Sequence, residues 1–182
     1  MSRIFFTADS HFGHDRIIEY CNRPFASAAQ MDAGLIQRWN ARVGVQDTVY
    51  HLGDFTLKKP TYAQNILRQL HGTKHLIIGN HDHAADHTLW ASAALAADLT
   101  VNGRRLYLCH YPLREWPGMW RGALHLYGHV HGSYLPLPGS MDVGADVWGG
   151  WPVTLEEILP TITPYDADQA RQQQTRLQLQ PW

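Results

Sequence analysis

The sequence predicts an α/β fold, a two-sheet β-sandwich flanked by helices, on three observations. Short apolar runs recur along the chain, and five of them end abruptly on Asp, Asn or His. Stretches with helical periodicity separate the first runs, giving the order β-α-α-β-α-β. Further on, Asn102-Gly103 between two strand-like runs is a two-residue hairpin signal. Early βαβ units followed by hairpin-linked strands fit two packed sheets with helices against them.

The first strand is expected from Arg3 to Ala8, running into Asp9-Ser10-His11. In extended backbone, residues i and i+2 face the same side, so Asp9 and His11 are expected to reach one point. Gly13 permits a tight turn, and Asp15 is placed to cap a short helix through Tyr20. Arg23-Pro24-Phe25 is a loop, and Arg23 is a candidate phosphate contact. Ser27 followed by Gln30 has the form of a capping box opening a helix to about Val43. Met31, Leu35, Trp39 and Val43 recur every four positions and give that helix one apolar face. A strand from Thr48 to Leu52 ends on Gly53-Asp54. Pro60 suits the first turn of a helix to about Leu70, with Ile66, Leu67 and Leu70 inward.

The apolar run Leu76-Ile77-Ile78 leads straight into Gly79-Asn80-His81-Asp82, for which packing offers no explanation. Trp90 to Ala97 reads as a short Ala-rich helix. Leu99 to Val101 and Arg104 to Cys109 form the hairpin, whose second strand ends on His110. A loop from Tyr111 to Gly122 follows, holding Tyr111, Arg114, Trp116, Trp120 and Arg121. Ala123 to Tyr127 then enters Gly128-His129-Val130-His131. Thr154 is placed to cap a last helix through Leu159. Residues 1–165 are read as one domain and 166–182 as a Gln-rich C-terminal tail.

In open α/β sheets ligands collect beyond the carboxyl ends of strands. Five such ends delivering Asp, Asn or His therefore read as one metal site. His, Asp and Asn without thiolate suit Mn²⁺, Fe, Zn²⁺ or Ni²⁺ better than Cu(I) or a structural zinc.

The five blocks, in this order from Asp9 to His131, resemble those of the calcineurin-like metallophosphoesterases. Leu108-Cys109-His110-Tyr111-Pro112 and Val143-Gly144-Ala145-Asp146 have the look of the small bacterial and phage-borne members. The resemblance implies a dinuclear metal-dependent phosphoesterase. Asp9, His11, Asp54 and His131 would hold one divalent ion, and Asp54, Asn80, His110 and His129 the other, with Asp54 as bridge. Two transition-metal ions, Mn²⁺ foremost, would lie ~3.5–4 Å apart and generate a hydroxide nucleophile between them. Two divalent ions outweigh two ligand carboxylates and a hydroxide, so the cleft would favour an anionic phosphoester. His81 stands outside the ligand set and matches the family's general acid, with Asp82 orienting its ring.

Substrate contacts are expected from Arg23, Tyr111 and Arg114, since aromatic faces stack bases and arginine clamps phosphate. This favours a phosphodiester of a nucleotide, cyclic ones included, or of another small molecule. Trp116 and Trp120 suit closing the core under their loop equally well. A phosphomonoesterase or protein phosphatase, and a non-catalytic metal-binding scaffold, are the alternatives. Asp146 is either a turn residue or a hydrogen-bond partner of a ligating imidazole. Five of the 12 histidines fall in the blocks. His14 and His83 lie close enough to them for substrate contact, and the remainder read as satisfied structural residues.

At 182 residues with net charge −1 and 45% apolar residues, a globular protein is expected. Near-neutral charge argues against a dedicated binder of long nucleic acid. Cys21 and Cys109, far apart, read as reduced thiols of a cytoplasmic protein. No apolar run approaches the ~20 residues of a membrane span, and the Ile4-Phe5-Phe6 run is too short for a signal peptide.

Overall fold

Two β-sheets pack face to face in the computed structural model, which describes residues 2–82 and 88–165. In chain order the first elements are β1 (Ile4–Thr7), α1 (Asp15–Tyr20), α2 (Ala28–Arg42), β2 (Thr48–His51), α3 (Pro60–Leu67) and β3 (Thr73–Ile77). Then come β4 (Ser92–Ala94), β5 (Ala96–Val101), β6 (Arg104–Cys109), β7 (Leu124–Tyr127), β8 (Ser140–Asp142), β9 (Val153–Thr154) and α4 (Leu155–Ile158). The first sheet has the order β4-β3-β2-β1-β9 and the second β5-β6-β7-β8. Parallel pairing joins β1 through β4, and also β6 to β7 and β7 to β8. This is an α/β fold of two sheets flanked by helices, as the order of apolar runs predicts.

Alternation along β1 explains the layering. Phe5 faces the helices, in one cluster with Met31, Leu35, Trp39, Ile66 and Leu67. Phe6 faces the second sheet, with Leu52, Ile77, Leu106, Leu108 and Leu126. Each such side chain, fully buried, contributes about 1.5–3 kcal/mol. The four-residue stripe of α2 is buried as its period required. Ser27 Oγ accepts from Gln30 N at 3.2 Å, and the Gln30 side chain reaches back to Ala26 N at 2.6 Å. Pro60 opens α3, and Thr154 with Glu157 forms a capping box on α4. Asn102 and Gly103, at φ 49° and 75°, make the tight turn between β5 and β6.

Two expectations are corrected. The stretch Trp90–Ala97 is not helix but supplies two strands: Ser92 to Ala94 pair with β3, and Ala96 begins the six-residue pairing with β6. Alanine's helix propensity is worth only fractions of a kcal/mol per residue and yields to two sheet edges with unpaired backbone groups. Asp15 does not cap its own helix. It lies in the first turn of α1, where Oδ1 accepts the N–H of Ala28 at 3.0 Å, an otherwise free donor at the start of α2.

The Tyr111–Gly122 loop packs Leu113, Trp116 and Met119 against Tyr107 of the second sheet in a small apolar cluster of its own. Trp116 is buried there and donates its indole N–H to Ala123 O at 2.8 Å. Trp120 is exposed, with its N–H on Glu115. His83 and the 166–182 tail lie outside the described residues.

Because β1, β2 and β3 are parallel, their carboxyl ends lie side by side. Asp9 N–H donates to Gly53 O at 2.9 Å, carrying the pairing past the strand ends. Gly128 N to His110 O and Ala145 N to Ala8 O, each 2.9 Å, bring the second sheet's ends to the same edge.

Candidate metal centre

Beyond that shared edge the backbone leaves the strand conformation at the polar residues themselves. Seven non-glycine residues among the described residues have positive φ, and five of them are Asp9, His11, Asp54, His129 and His131. Asp9 and His11, at φ 55° and 51°, are therefore not consecutive same-side positions of an extended strand. Each is turned separately by a left-handed backbone, a conformation tolerated best by Asn, Asp and His. Strain of order 1 kcal/mol at each position persists only where the surroundings enforce it, and it gathers at functional sites. Neighbouring glycines permit the crowding. A Cβ at Gly128 would collide with Asp9 Oδ2, and one at Gly79 with Asp54 Oδ1.

Two clusters result. Ligand atoms of Asp9, His11 and His131 lie within 4.8 Å of one another, as do those of Asp54, His110 and His129. Asp54 faces both: Oδ1 is 3.5 Å from His110 Nε2, and Oδ2 is 3.7 Å from His11 Nε2. Asn80 joins the second cluster, its Oδ1 3.1 Å from His110 Nε2. All seven residues that the blocks supply as ligand candidates are thus brought together.

The donor chemistry fits metal ions. His110 Nδ1 is 2.7 Å from Leu52 O, and a carbonyl can only accept, so Nδ1 carries the proton. Nε2, at the other side of the ring, lies 3.1 Å from Asn80 Oδ1 and 3.5 Å from Asp54 Oδ1, among the other oxygen and nitrogen donors of its cluster. His131 is fixed in the same way, its Nδ1 2.7 Å from Asp146 Oδ2. Both ring nitrogens of His11 are buried without a hydrogen-bond partner. Burial first, then the His131 and Arg23 charges, push His11 down to about 2, so its ring is in the neutral, ligating form. Asp9 is raised well above the usual carboxylate range by burial, then by Asp142 and Asp54, anions crowded into one corner.

Two sequence expectations fail. The Arg23 guanidinium does not face the cleft. Its Nε and one terminal nitrogen grip Asp146 at 2.7 Å each, and the rest of its donors meet Asp9 O, Ser10 O and Met31 Sδ. With five N–H groups committed, none is left for a phosphate. Arg23 instead holds Asp146, which holds His131. Nor does Asp82 orient the His81 ring. Asp82 Oδ2 accepts from Asp54 N at 2.9 Å and Gly79 N at 2.8 Å, and Oδ1 from Phe55 N at 2.9 Å. Three converging backbone donors outcompete a single imidazole, and the carboxylate ties the end of β2 to the end of β3.

His81 stands at the edge of the cleft, its side chain 42% exposed and Nε2 3.9 Å from Asp54 Oδ2. Its backbone N–H donates to Asp54 Oδ1 at 2.9 Å. His14 lines the same cleft, with its ring 5.6 Å from that of His11. Tyr111 packs edge-on against His129 at 4.7 Å between centroids, while Arg114 is exposed on the adjoining loop. His51 and His125 are buried away from the cleft as structural residues. Asp142 was not singled out by the sequence, yet its oxygens hold Gly132 N at 2.9 Å and Gly144 N at 2.7 Å. The signal was present: Asp142 ends a short buried strand, like the ligand blocks.

No protein-family model matches the chain. Over 171 residues, 89% of this chain and 92% of that protein, it is 33% identical to the uncharacterized protein MJ1445 of Methanocaldococcus jannaschii. The chain belongs to the MJ1445 family. The Gene 66 protein of Mycobacterium phage D29 is similar at 28% identity over 182 residues, covering 81% of this chain and 90% of that one. Among solved structures, the protein of unknown function AQ665 from Aquifex aeolicus superposes with a TM-score of 0.72 at 23% identity. That match covers 89% of this chain and 100% of the other and shows a shared fold. In this member of the MJ1445 family, the Asp, Asn and His residues of all five blocks meet at one edge of the two sheets. Among the described residues no helix is long and apolar enough to cross a membrane.

Proposed function

We propose that the protein is a dinuclear metal-dependent phosphoester hydrolase, acting on phosphodiesters of a nucleotide or small molecule in preference to monoesters. The observation that carries this reading is the Asp54 carboxylate, which presents one oxygen to each histidine cluster. Asp9, His11, Asp54 and His131 would hold one divalent ion, and Asp54, Asn80, His110 and His129 the second. Mn²⁺ fits this donor set, as do Fe, Zn²⁺ and Ni²⁺. Ions bound there supply Lewis-acid stabilisation of phosphoryl oxygens and lower the pKa of a water to roughly 7.

The chain's own residues divide the remaining work. His81, partly exposed and anchored through its backbone on Asp54, is placed to give a proton to the departing alkoxide. Asp82 fixes the backbone at Asp54, Phe55 and Gly79, the last next to Asn80. Arg23 and Asp146 hold the His131 ring so that its Nε2 faces the cleft, and Leu52 O does the same for His110. Tyr111 adds an aromatic edge beside His129, which suits an ester carrying a ring.

The test uses chelator-stripped protein reloaded with Mn²⁺, Ni²⁺, Zn²⁺ or Mg²⁺, with bis-p-nitrophenyl phosphate beside p-nitrophenyl phosphate and Asp54→Ala as control. Two ions per chain by elemental analysis and metal-dependent hydrolysis favouring the diester are expected. Preference for the monoester would move the assignment to a phosphatase. Two bound ions with neither ester hydrolysed would overturn catalysis altogether.

A further inference from the structure

The segment directly after the last ligand block is a strip of exposed apolar side chains. Leu135 is 95% exposed, Tyr134 64% and Leu137 39%. It is nonetheless well fixed. Pro136 and Pro138 restrict its backbone, Ser133 N is bonded to Val130 O at 2.8 Å, and Gly139 N to Thr163 O at 2.8 Å. Exposed apolar surface held this firmly is organised for a ligand in advance.

The facing wall is Pro112-Leu113-Arg114. Buried His125 pins it, its Nε2 lying 3.2 Å from Leu113 N and 3.1 Å from Tyr111 O. Between the walls lies a groove of about 340 Å³. Pro112 and Tyr134 also line the cleft that holds His11, His81, His129 and His131, so groove and candidate metal centre are one continuous surface. Arg114 is exposed at the groove wall and has no ion-pair partner among the described residues.

We propose that this groove is the subsite for the base of a nucleotide phosphodiester, with Tyr134 and the leucines against the base and Arg114 on a non-scissile phosphate. The proposal rests on the phosphoesterase reading of the adjoining centre. The groove's volume is that of a small-ligand pocket. A ring and aliphatic side chains beside one cation are what a flat anionic ligand needs. An acyl chain would leave the arginine without a purpose. A second copy of the chain would need roughly 800 Å² on each side, far more than one loop offers.

Two diesters with the same leaving group separate the possibilities: thymidine 5′-(p-nitrophenyl phosphate) and methyl p-nitrophenyl phosphate. The nucleoside ester is expected to have a kcat/KM about tenfold higher or more, carried by KM, as a stacked base contributes. Tyr134→Ala and Leu135→Ser should each lower that ratio severalfold, and exposure of both residues leaves thermal unfolding in place as a check on the fold. Arg114→Ala should weaken an ester bearing a further 3′-phosphate more than one without it. A ratio near one in the unmodified protein, or a ratio unmoved by both groove variants, overturns the subsite. If neither ester is hydrolysed, the phosphoesterase reading fails separately, and calorimetric binding of thymidine 5′-monophosphate to the metal-free protein decides the groove. Binding weakened by Tyr134→Ala sustains the subsite, and absence of binding refutes it. Co-sedimentation with phosphatidylglycerol vesicles, or a concentration-dependent dimer, that is abolished by Leu135→Ser also refutes it.

Discussion

Replacing Asp82 with alanine tests the strand-end clamp. The substitution removes the acceptor of three backbone N–H groups, from Gly79, Asp54 and Phe55, at 2.8–2.9 Å. Asp54 and Phe55 are each only 2% exposed, so their amides have little access to replacement water. A buried donor left unpaired costs about 1–3 kcal/mol. Because the carboxylate is itself only part-buried, the lower end applies, and three donors sum to about 3 kcal/mol. In a protein of this size that lowers Tm by about 6–12 °C. Asp82→Asn keeps one acceptor oxygen and turns an NH₂ toward the amides, so an intermediate loss is expected. The assay is thermal unfolding of metal-free protein followed by circular dichroism, beside metal-loaded hydrolysis of esters with good and poor leaving groups. Loss of stability and of metal affinity, with activity falling alike on both classes of ester, is the expected pattern. A wild-type Tm with activity lost only on poor leaving groups would refute the clamp. It would show that Asp82 acts through the His81 ring.

Three further outcomes are expected. His81→Ala should retain metal content and Tm, since its side chain is 42% exposed, but lose roughly 100-fold or more in kcat on an alkyl phosphoester. Full activity on that ester would remove His81 from the reaction. Arg23→Ala leaves the buried Asp146 carboxylate without its guanidinium and should cost about 3–5 kcal/mol by urea unfolding, with weaker metal binding at His131. Arg23→Lys should recover only part, because one ammonium cannot reach Asp146 and two carbonyls together. Stability should also fall in mild acid: burial first, then the His110 charge, lowers His51 to about 3. Its folded pKa is thus below the unfolded value, the unfolded chain takes the proton first, and stability present above pH ~6.5 is lost as pH falls, by up to about 1.4 kcal/mol per unit. His51→Gln should flatten urea midpoints measured from pH 7.5 to 5, and an unchanged slope would exclude this histidine as the cause.

By itself the sequence determined the order of the elements from β1 to β3, the stripe of α2, the tight turn at Asn102-Gly103 and the places along the chain of the seven candidate ligand residues. These are local properties: a period, a cap, or a polar residue set abruptly after an apolar run. Tertiary structure decided where the polar side chains go. Arg23 looked free for phosphate, but Asp146, 123 residues away, takes it inward. Asp82 looked tied to its neighbour His81, but amides at Asp54 and Phe55, 28 and 27 residues back, capture it. Trp90–Ala97 looked helical until two open sheet edges claimed it. In each case the stronger partner is a backbone group or charge that reaches the residue only when distant strands are laid side by side. The residues that bring chemistry could be read along the chain. Those that hold them in place became legible only once parallel pairing had gathered the strand ends at one edge.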